Sequence, residues 1–166
     1  MEYEIDEMQP SDWEQVKEIY LEGIRTGIAT FQSGVPTYEE WDKAHHKFCR
    51  LVARLNNEVL GWVAISPTSS RPCYSGVAEL SIYISESSRG SGLGTALLME
   101  AVKQSEENGI WTLHSGIIRD NTKSISLHKK CGFREIGVRE NVAKMPSGKW
   151  HDVMLMERRS KVTGID

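Results

Sequence analysis

The stretch Arg89-Gly90-Ser91-Gly92-Leu93-Gly94-Thr95 joins a run with strand alternation, Val77 to Ile84, to a run with helical spacing, Leu93 to about Asn108. Glycines at such a junction let the backbone approach a ligand closely and turn several N–H groups outward. The helix that follows adds its N-terminal partial positive charge, and together these make an anion site. A strand-to-helix turn that merely needs glycine is the plainer alternative. Two familiar phosphate motifs fail on inspection. The dinucleotide fingerprint needs a glycine where Thr95 stands, and the nucleotide P-loop needs a Gly-Lys-Ser/Thr ending that is absent.

On the strand side, Ala78, Leu80, Ile82 and Ile84 share one face, and Val77, Glu79, Ser81 and Tyr83 share the other. On the helix side, Leu93, Leu97 and Ala101, with Leu98 and Val102, form apolar rows, and Gly109 supplies the C-terminal cap. Upstream, Glu2 to Met8 reads as a short strand. Ser11 with Glu14 reads as a capping box opening a helix with Val16, Ile19, Tyr20 and Ile24 inward, stopped near Gly27. Thr37 with Glu40 opens a shorter helix carrying Trp41 and Ala44. The connection Thr26 to Pro36 is richer in apolar residues than a linker requires. Phe48 to Leu55 and Val59 to Ser66 read as a hairpin around Asn56-Asn57-Glu58, followed by a polar loop from Pro67 to Gly76. Downstream come a strand at Thr112 to Ile118, a helix at Thr122 to Lys130 ended by Gly132, and strands at Arg134 to Met145 and Trp150 to Arg158. The order β-α-α-β-β-β-α-β-α-β-β predicts an α/β (α+β) chain with a mixed sheet and helices on both faces.

The chain has 166 residues, which predicts one domain over residues 1–166, and its 39% hydrophobic content suffices for a continuous core. A formal net charge of −3 lacks the basic surplus of a dedicated nucleic-acid binder. No apolar run is long enough to span a bilayer, and the acidic start lacks a signal-peptide core, so a soluble cytoplasmic protein without a membrane partner is expected. Three cysteines (Cys49, Cys73, Cys131) without C-x-x-C spacing, and His45-His46 without an i, i+4 partner, predict neither a disulfide framework nor a metal site. His151-Asp152 sit on adjacent strand positions and point to opposite faces, and no G-x-S-x-G is present, so a serine hydrolase is not supported.

Arg89, Gly92 and Gly94 match R-x-x-G-x-G after a strand and at a helix start. Asn121-Thr122-Lys123-Ser124, continuing through Leu127-His128 to Gly132-Phe133, match N-x-x-S followed by His and G-F. In both stretches the chain resembles the GNAT superfamily of N-acetyltransferases. The resemblance implies about seven strands flanked by about four helices, acetyl-CoA as co-substrate, and a homodimer. It also implies that Arg89, Gly90, Ser91, Gly92, Leu93, Gly94 and Thr95 cradle the pyrophosphate. Backbone groups around Ile82, Tyr83 and Ile84 would polarise the thioester and pair with the pantetheine arm, with Asn121 and Ser124 bonding that arm and Lys123, Arg119 or Lys130 near the phosphates.

A narrower resemblance rests on Ala78-Glu79 before Ile82-Tyr83-Ile84, on His128, and on Gly148-Lys149-Trp150-His151-Asp152-Val153. Near the start it rests on Ile19-Tyr20 and Thr26-Gly27-Ile28-Ala29-Thr30-Phe31. These stretches are similar to the phosphinothricin acetyltransferase group. That implies acetylation of the α-amine of a small amino acid or analogue, such as phosphinothricin, methionine sulfone or methionine sulfoximine. Acetylation of a protein N-terminus or lysine, and a non-catalytic coenzyme-binding sensor, are the alternatives.

Attack on a thioester needs a neutral amine, donors for the carbonyl oxygen and a proton for the thiolate. Glu79 is the expected base by resemblance; as a plain strand residue it would be solvated or paired with an arginine. His128 is the second catalytic candidate, able to give or take a proton near its ordinary pKa, or else simply packed beside Leu127. Arg71 and Tyr74 are the candidates for gripping the substrate's anionic groups, with Thr30 and Phe31 closing the pocket and Lys149 and His151 as secondary candidates.

Overall fold

The computed structural model describes residues 2–166. Its elements follow the expected order: β1 (Glu4–Glu7), α1 (Trp13–Arg25), α2 (Tyr38–Ala44), β2 (Leu51–Leu55), β3 (Glu58–Pro67), β4 (Val77–Ile84), α3 (Leu93–Glu107), β5 (Thr112–Ile118), α4 (Thr122–Lys130), β6 (Arg134–Lys144) and β7 (Trp150–Arg159). All strands form one seven-stranded sheet in the order β1-β2-β3-β4-β5-β7-β6. The β4–β5 pair is parallel, and its neighbours are antiparallel.

Alternation along the strands divides the apolar residues between two cores. Leu51, Ala53, Val63, Ile65, Ala78 and Leu80 pack under Leu93, Leu97, Leu98, Ala101 and Val102 of α3. On the other face Val52, Trp62 and Ala64 pack under Val16 and Ile19 of α1 and Trp41 of α2. A bulge opposite Ala53 and Arg54 turns Leu60 to the α3 side, so the two-residue period shifts within β3. Cys131 joins the α3 core as a small apolar residue.

Two sequence expectations are corrected. The first helix is not capped by Ser11. A 3-10 turn over Pro10–Asp12 precedes it, and Asp12 Oδ2 accepts the Gln9 N–H (2.8 Å). Asp12 is buried because Arg54 of β2 grips it through two hydrogen bonds of 2.7 and 2.9 Å, a long-range partner that local capping patterns cannot show. Phe48 to Arg50 is also not strand. Cys49 adopts φ 58°, and the Arg50 side chain folds back onto Asp42 and the His46 carbonyl, so β2 starts at Leu51. Thr37 caps α2 as expected, accepting from the Glu40 N–H at 3.2 Å.

The β4–β5 pair positions the site. It is anchored where the Gly76 carbonyl accepts the N–H groups of Trp111 and Thr112 (2.8 and 3.0 Å). Its ladder covers only Val77↔Thr112, Ala78↔Leu113 and Glu79↔His114, although β4 runs on to Ile84 and β5 to Ile118. Beyond Glu79 the two strands part.

Candidate active site

A cleft of about 1230 Å³ follows this parting. Ser85 N–H donates to Leu60 O (2.8 Å), and β4 pairs with β3 in the register Tyr83↔Trp62 and Ser81↔Ala64. Antiparallel bonding alternates, so the N–H groups of Ser81, Tyr83 and Ser85 face β3 and those of Leu80, Ile82 and Ile84 face the β5 side. Ser115 Oγ of β5 donates to the Leu80 carbonyl (3.2 Å), which closes the last point of contact. Ile82 and Ile84 then offer their N–H groups to the cleft, whereas the Tyr83 N–H is turned to β3. Tyr83 contributes its ring, stacked on Tyr20 (4.9 Å) and Trp62 (5.0 Å).

At one end of the cleft lies the glycine loop. Gly90 and Gly92 have φ of 77° and 84°, a region that side chains rarely adopt. The first intrahelical bond of α3 is Ala96 N–H to Gly92 O, so the N–H groups of Leu93, Gly94 and Thr95 are left for a ligand. The Leu93 side chain is fully buried in the core, and Ser91 Oγ is turned to the Ser88 carbonyl (2.6 Å), so these two residues offer the loop backbone only. Arg89 is exposed, with Nε reaching Ile84 O at 3.3 Å. A Cβ at Gly94 would stand 3.3 Å from Leu127, so glycine there lets α4 sit close against α3.

Glu79 lies in the same cleft, exposed, at the last rung of the β4–β5 ladder and on the sheet face of Ser81 and Tyr83. His128 enters from α4. It is 2% exposed, stands edge-on to Phe133 (5.0 Å), and its Nδ1 donates to Ser124 O at 2.7 Å. That bond fixes the proton on Nδ1 and leaves Nε2 buried without a partner among the described residues. Burial pushes the His128 pKa down. The expectation that it can act in either protonation state narrows to a neutral imidazole with an accepting Nε2. Asn121 and Ser124 line the cleft together, and Asn121 also caps α4 by accepting the Ser124 N–H (3.3 Å).

The connection between α1 and α2 forms the facing wall. Thr30 and Phe31 line it, along with Tyr20, Gln32 and His45, which sequence reasoning did not single out as site residues. Tyr20 is hidden by its place in an apolar helical row. Burial raises the pKa of Tyr20 and Tyr83, and the Thr30 hydroxyl beside both phenols opposes this. Phe31 meets the buried His151 edge-on at 6.3 Å, so the final hairpin supports this wall from outside the cleft.

Arg71 and Tyr74 are corrected: neither lines the cleft. Tyr74 N–H donates to Arg71 O (3.0 Å), and the Arg71 guanidinium lies over the Tyr74 ring at 5.6 Å. The loop therefore satisfies itself at the surface. Of the candidate cations, Lys123 reaches the cleft, Arg119 pairs with Asp152 and Lys149 with Asp120. No group of three or more metal-ligating side chains occurs among the described residues.

Free strand N–H groups, a glycine-rich helix start and an arm-sized groove lined by both polar and apolar groups suit a pantetheine thioester carrying a pyrophosphate. The chain is 34% identical over 152 residues (89% of this chain, 93% of the relative) to YwnH of Bacillus subtilis (strain 168), which carries a provisional phosphinothricin acetyltransferase name. It is 30% identical over 158 residues (91% and 79%) to phosphinothricin N-acetyltransferase of Alcaligenes faecalis. It superimposes with a TM-score of 0.88 at 26% identity on the phosphinothricin acetyltransferase of Sinorhizobium meliloti solved with acetyl-CoA, covering 100% of this chain and 92% of that one. The Acetyltransferase (GNAT) family model matches residues 13–133, and with these relatives it shows that the chain belongs to the acetyltransferase (GNAT) family and is an N-acetyltransferase.

Proposed function

We infer that this acetyl-CoA-dependent N-acetyltransferase acetylates the α-amine of a small amino acid or analogue by direct attack on the thioester. The observation that carries this reading is the placement of an exposed carboxylate, Glu79, in the cleft beside the unpaired N–H groups of Ile82 and Ile84. The Thr26–Pro36 connection walls the same space, which favours a compact acceptor over an extended peptide.

In this reading the backbone of Gly90 to Thr95 holds the pyrophosphate and the open edge of β4 holds the pantetheine arm. Strand N–H groups draw charge onto the thioester oxygen. Glu79, directly or through a water, takes the proton from the ammonium, and the neutral amine attacks the carbonyl carbon. A C–N bond forms, the nitrogen gives up its second proton to water, the C–S bond breaks, and the thiolate takes a proton from solvent. His128 is neutral, so its role is to accept a hydrogen bond or proton at Nε2 rather than to supply one. Phosphinothricin, methionine sulfone and methionine sulfoximine are the acceptors to try first.

The test is release of free thiol from acetyl-CoA against amino acids, these analogues and short peptides. Acetylation of free amino acids or analogues is expected to exceed that of peptides, and Glu79→Gln is expected to lower kcat about 10²–10³-fold with acetyl-CoA affinity unchanged. Part of the loss should return as the pH rises and the amine deprotonates by itself. Peptides as the best acceptors would overturn the substrate class, and a Glu79→Gln enzyme within a few-fold of wild type at neutral pH would overturn the base.

A further inference from the structure

Glu79 does not stand alone on its rung of the sheet. The register sets a line of polar side chains across the strands: Glu79 opposite Ser66 of β3 and His114 of β5, His114 opposite Glu157 of β7, and Glu157 opposite Arg134 of β6. Residues directly opposite in a sheet share a face, so this line stands on the face of Ser81 and Tyr83. At its far end Arg134 and Glu157 pair with each other at 2.5 Å. His114 takes no part in that pair.

The half-buried imidazole turns the other way. Its Nε2 shares a hydrogen bond of 2.6 Å with the hydroxyl of Thr68, just past the end of β3. β4 lies between β3 and β5, so this bond is made across β4. Its level along the strand follows from the register. His114 sits opposite Glu79, and Thr68, whose N–H donates to the Val77 carbonyl (3.3 Å), sits opposite Val77. Thr68 is two residues beyond Ser66, hence on the face of Glu79. The ring therefore lies over β4 between the side chains of Val77 and Glu79.

A glutamate at an exposed strand position is free to turn along the strand in both directions. Here the imidazole fills the direction toward Val77, and the direction toward Ser81 and Tyr83 opens into the cleft. On the reading that Glu79 is the base, we propose that His114 is a positioning residue: held by Thr68, its ring bars the carboxylate from the Val77 side and keeps it over the cleft. Neither His114 nor Thr68 lines the cleft, so the ring acts through Glu79 alone. Rotamers bound the size of the effect. Two sp³ torsions with three wells each give a free glutamate about nine arrangements, so confinement to one raises the productive fraction by at most about tenfold.

Two measurements test this, and they separate it from the assignment of the base. First, three-bond couplings in ¹³C,¹⁵N-labelled protein report χ1 of Glu79. One rotamer is expected in the wild type, and averaged couplings in His114→Ala and in Thr68→Val, an exposed change that keeps the ring and removes its hold. Averaged couplings in the wild type, or an unchanged rotamer in both variants, would overturn the proposal whether or not Glu79 is the base. Second, kcat and the KM for acetyl-CoA are measured with methionine sulfone as acceptor. His114→Ala and Thr68→Val are expected to lower kcat about 3–10-fold with that KM unchanged, and His114→Gln, whose amide still reaches Thr68, to restore most of it. In a Glu79→Gln background His114→Ala should cost nothing further, because no base remains to be aimed. A loss of the same size in that background, or no loss where Glu79→Gln itself is slow, would overturn the proposal. Averaged couplings in the variants together with a Glu79→Gln enzyme as fast as wild type would instead leave the confinement standing and remove Glu79 as the base.

Discussion

Gly92 shows how backbone conformation alone can dictate a residue. Its φ of 84° lies where a Cβ strains the backbone, yet no atom stands within 4 Å of where that Cβ would sit. A substitution there is strained for conformational reasons alone. Gly92→Ala is expected to lower stability by about 1–2 kcal/mol and to weaken acetyl-CoA, because relief of the strain turns the Leu93 to Thr95 N–H groups away. Gly92→Asn should lose less on both counts, since asparagine tolerates the left-handed region. Thermal melts and calorimetric titration of both variants check this; alanine matching glycine in each would show that the loop does not depend on that conformation. Asp12 makes the complementary case, a buried carboxylate whose charge is met by Arg54 while the Gln9 N–H supplies a further hydrogen bond. Arg54→Met should cost about 3–5 kcal/mol by stranding the charge, whereas the double change with Asp12→Asn should recover much of it. Urea denaturation of the two variants gives the comparison.

At the level of elements, the short parallel joint between β4 and β5 rests on an unusual approach. A Cβ on Gly76 would lie 2.0 Å from Cε3 of Trp111, so only glycine lets the indole close over the start of β4. Gly76→Ala is expected to cost at least about 2 kcal/mol and to lower kcat by shifting Glu79, three residues further along β4. Trp111→Leu in that background should restore stability in part, and a melt of the double variant checks this. The elements themselves are legible in the sequence because their signals are local: the rows of α3, the Thr37 cap, the alternation of β4. The glycine loop and Asn121-x-x-Ser124 are legible for the same reason. Arg54 meeting Asp12, Trp111 meeting Gly76 and the edge-to-face packing of Trp41 on Trp62 in the core are not, because each joins segments far apart in the chain. Arg71 misleads for a related reason: a cation in a loop before Glu79 invites a binding role, and only the folded turn shows it spent on Tyr74.

Across the whole molecule, protonation acts on stability from several separate places. Burial lowers the pKa of His45 and His46 after α2 and of His128 on α4. Each stays neutral in the folded protein at a pH where the unfolded chain has begun to bind its proton. Their contribution is therefore complete above the unfolded value of about 6.5 and is lost as pH falls below it. Asp12, held below its ordinary carboxylate value by Arg54, adds a second loss that begins only below about pH 4. The urea midpoint is expected to fall between pH 7.5 and 5.5, and His128→Phe should flatten that slope; an unchanged slope would place the sensitivity elsewhere. The parting of β4 and β5 has its own consequence for the sheet as a solid. On one side of Glu79 the strands are stitched across the full width, and on the other they stand apart, so the sheet carries a seam that solvent can enter. The amides of Ile82 and Ile84 sit in that seam amid otherwise protected neighbours. They should exchange with deuterium far faster than those of Ser81 and Tyr83, until a bound coenzyme closes the seam and makes their protection a direct gauge of occupancy.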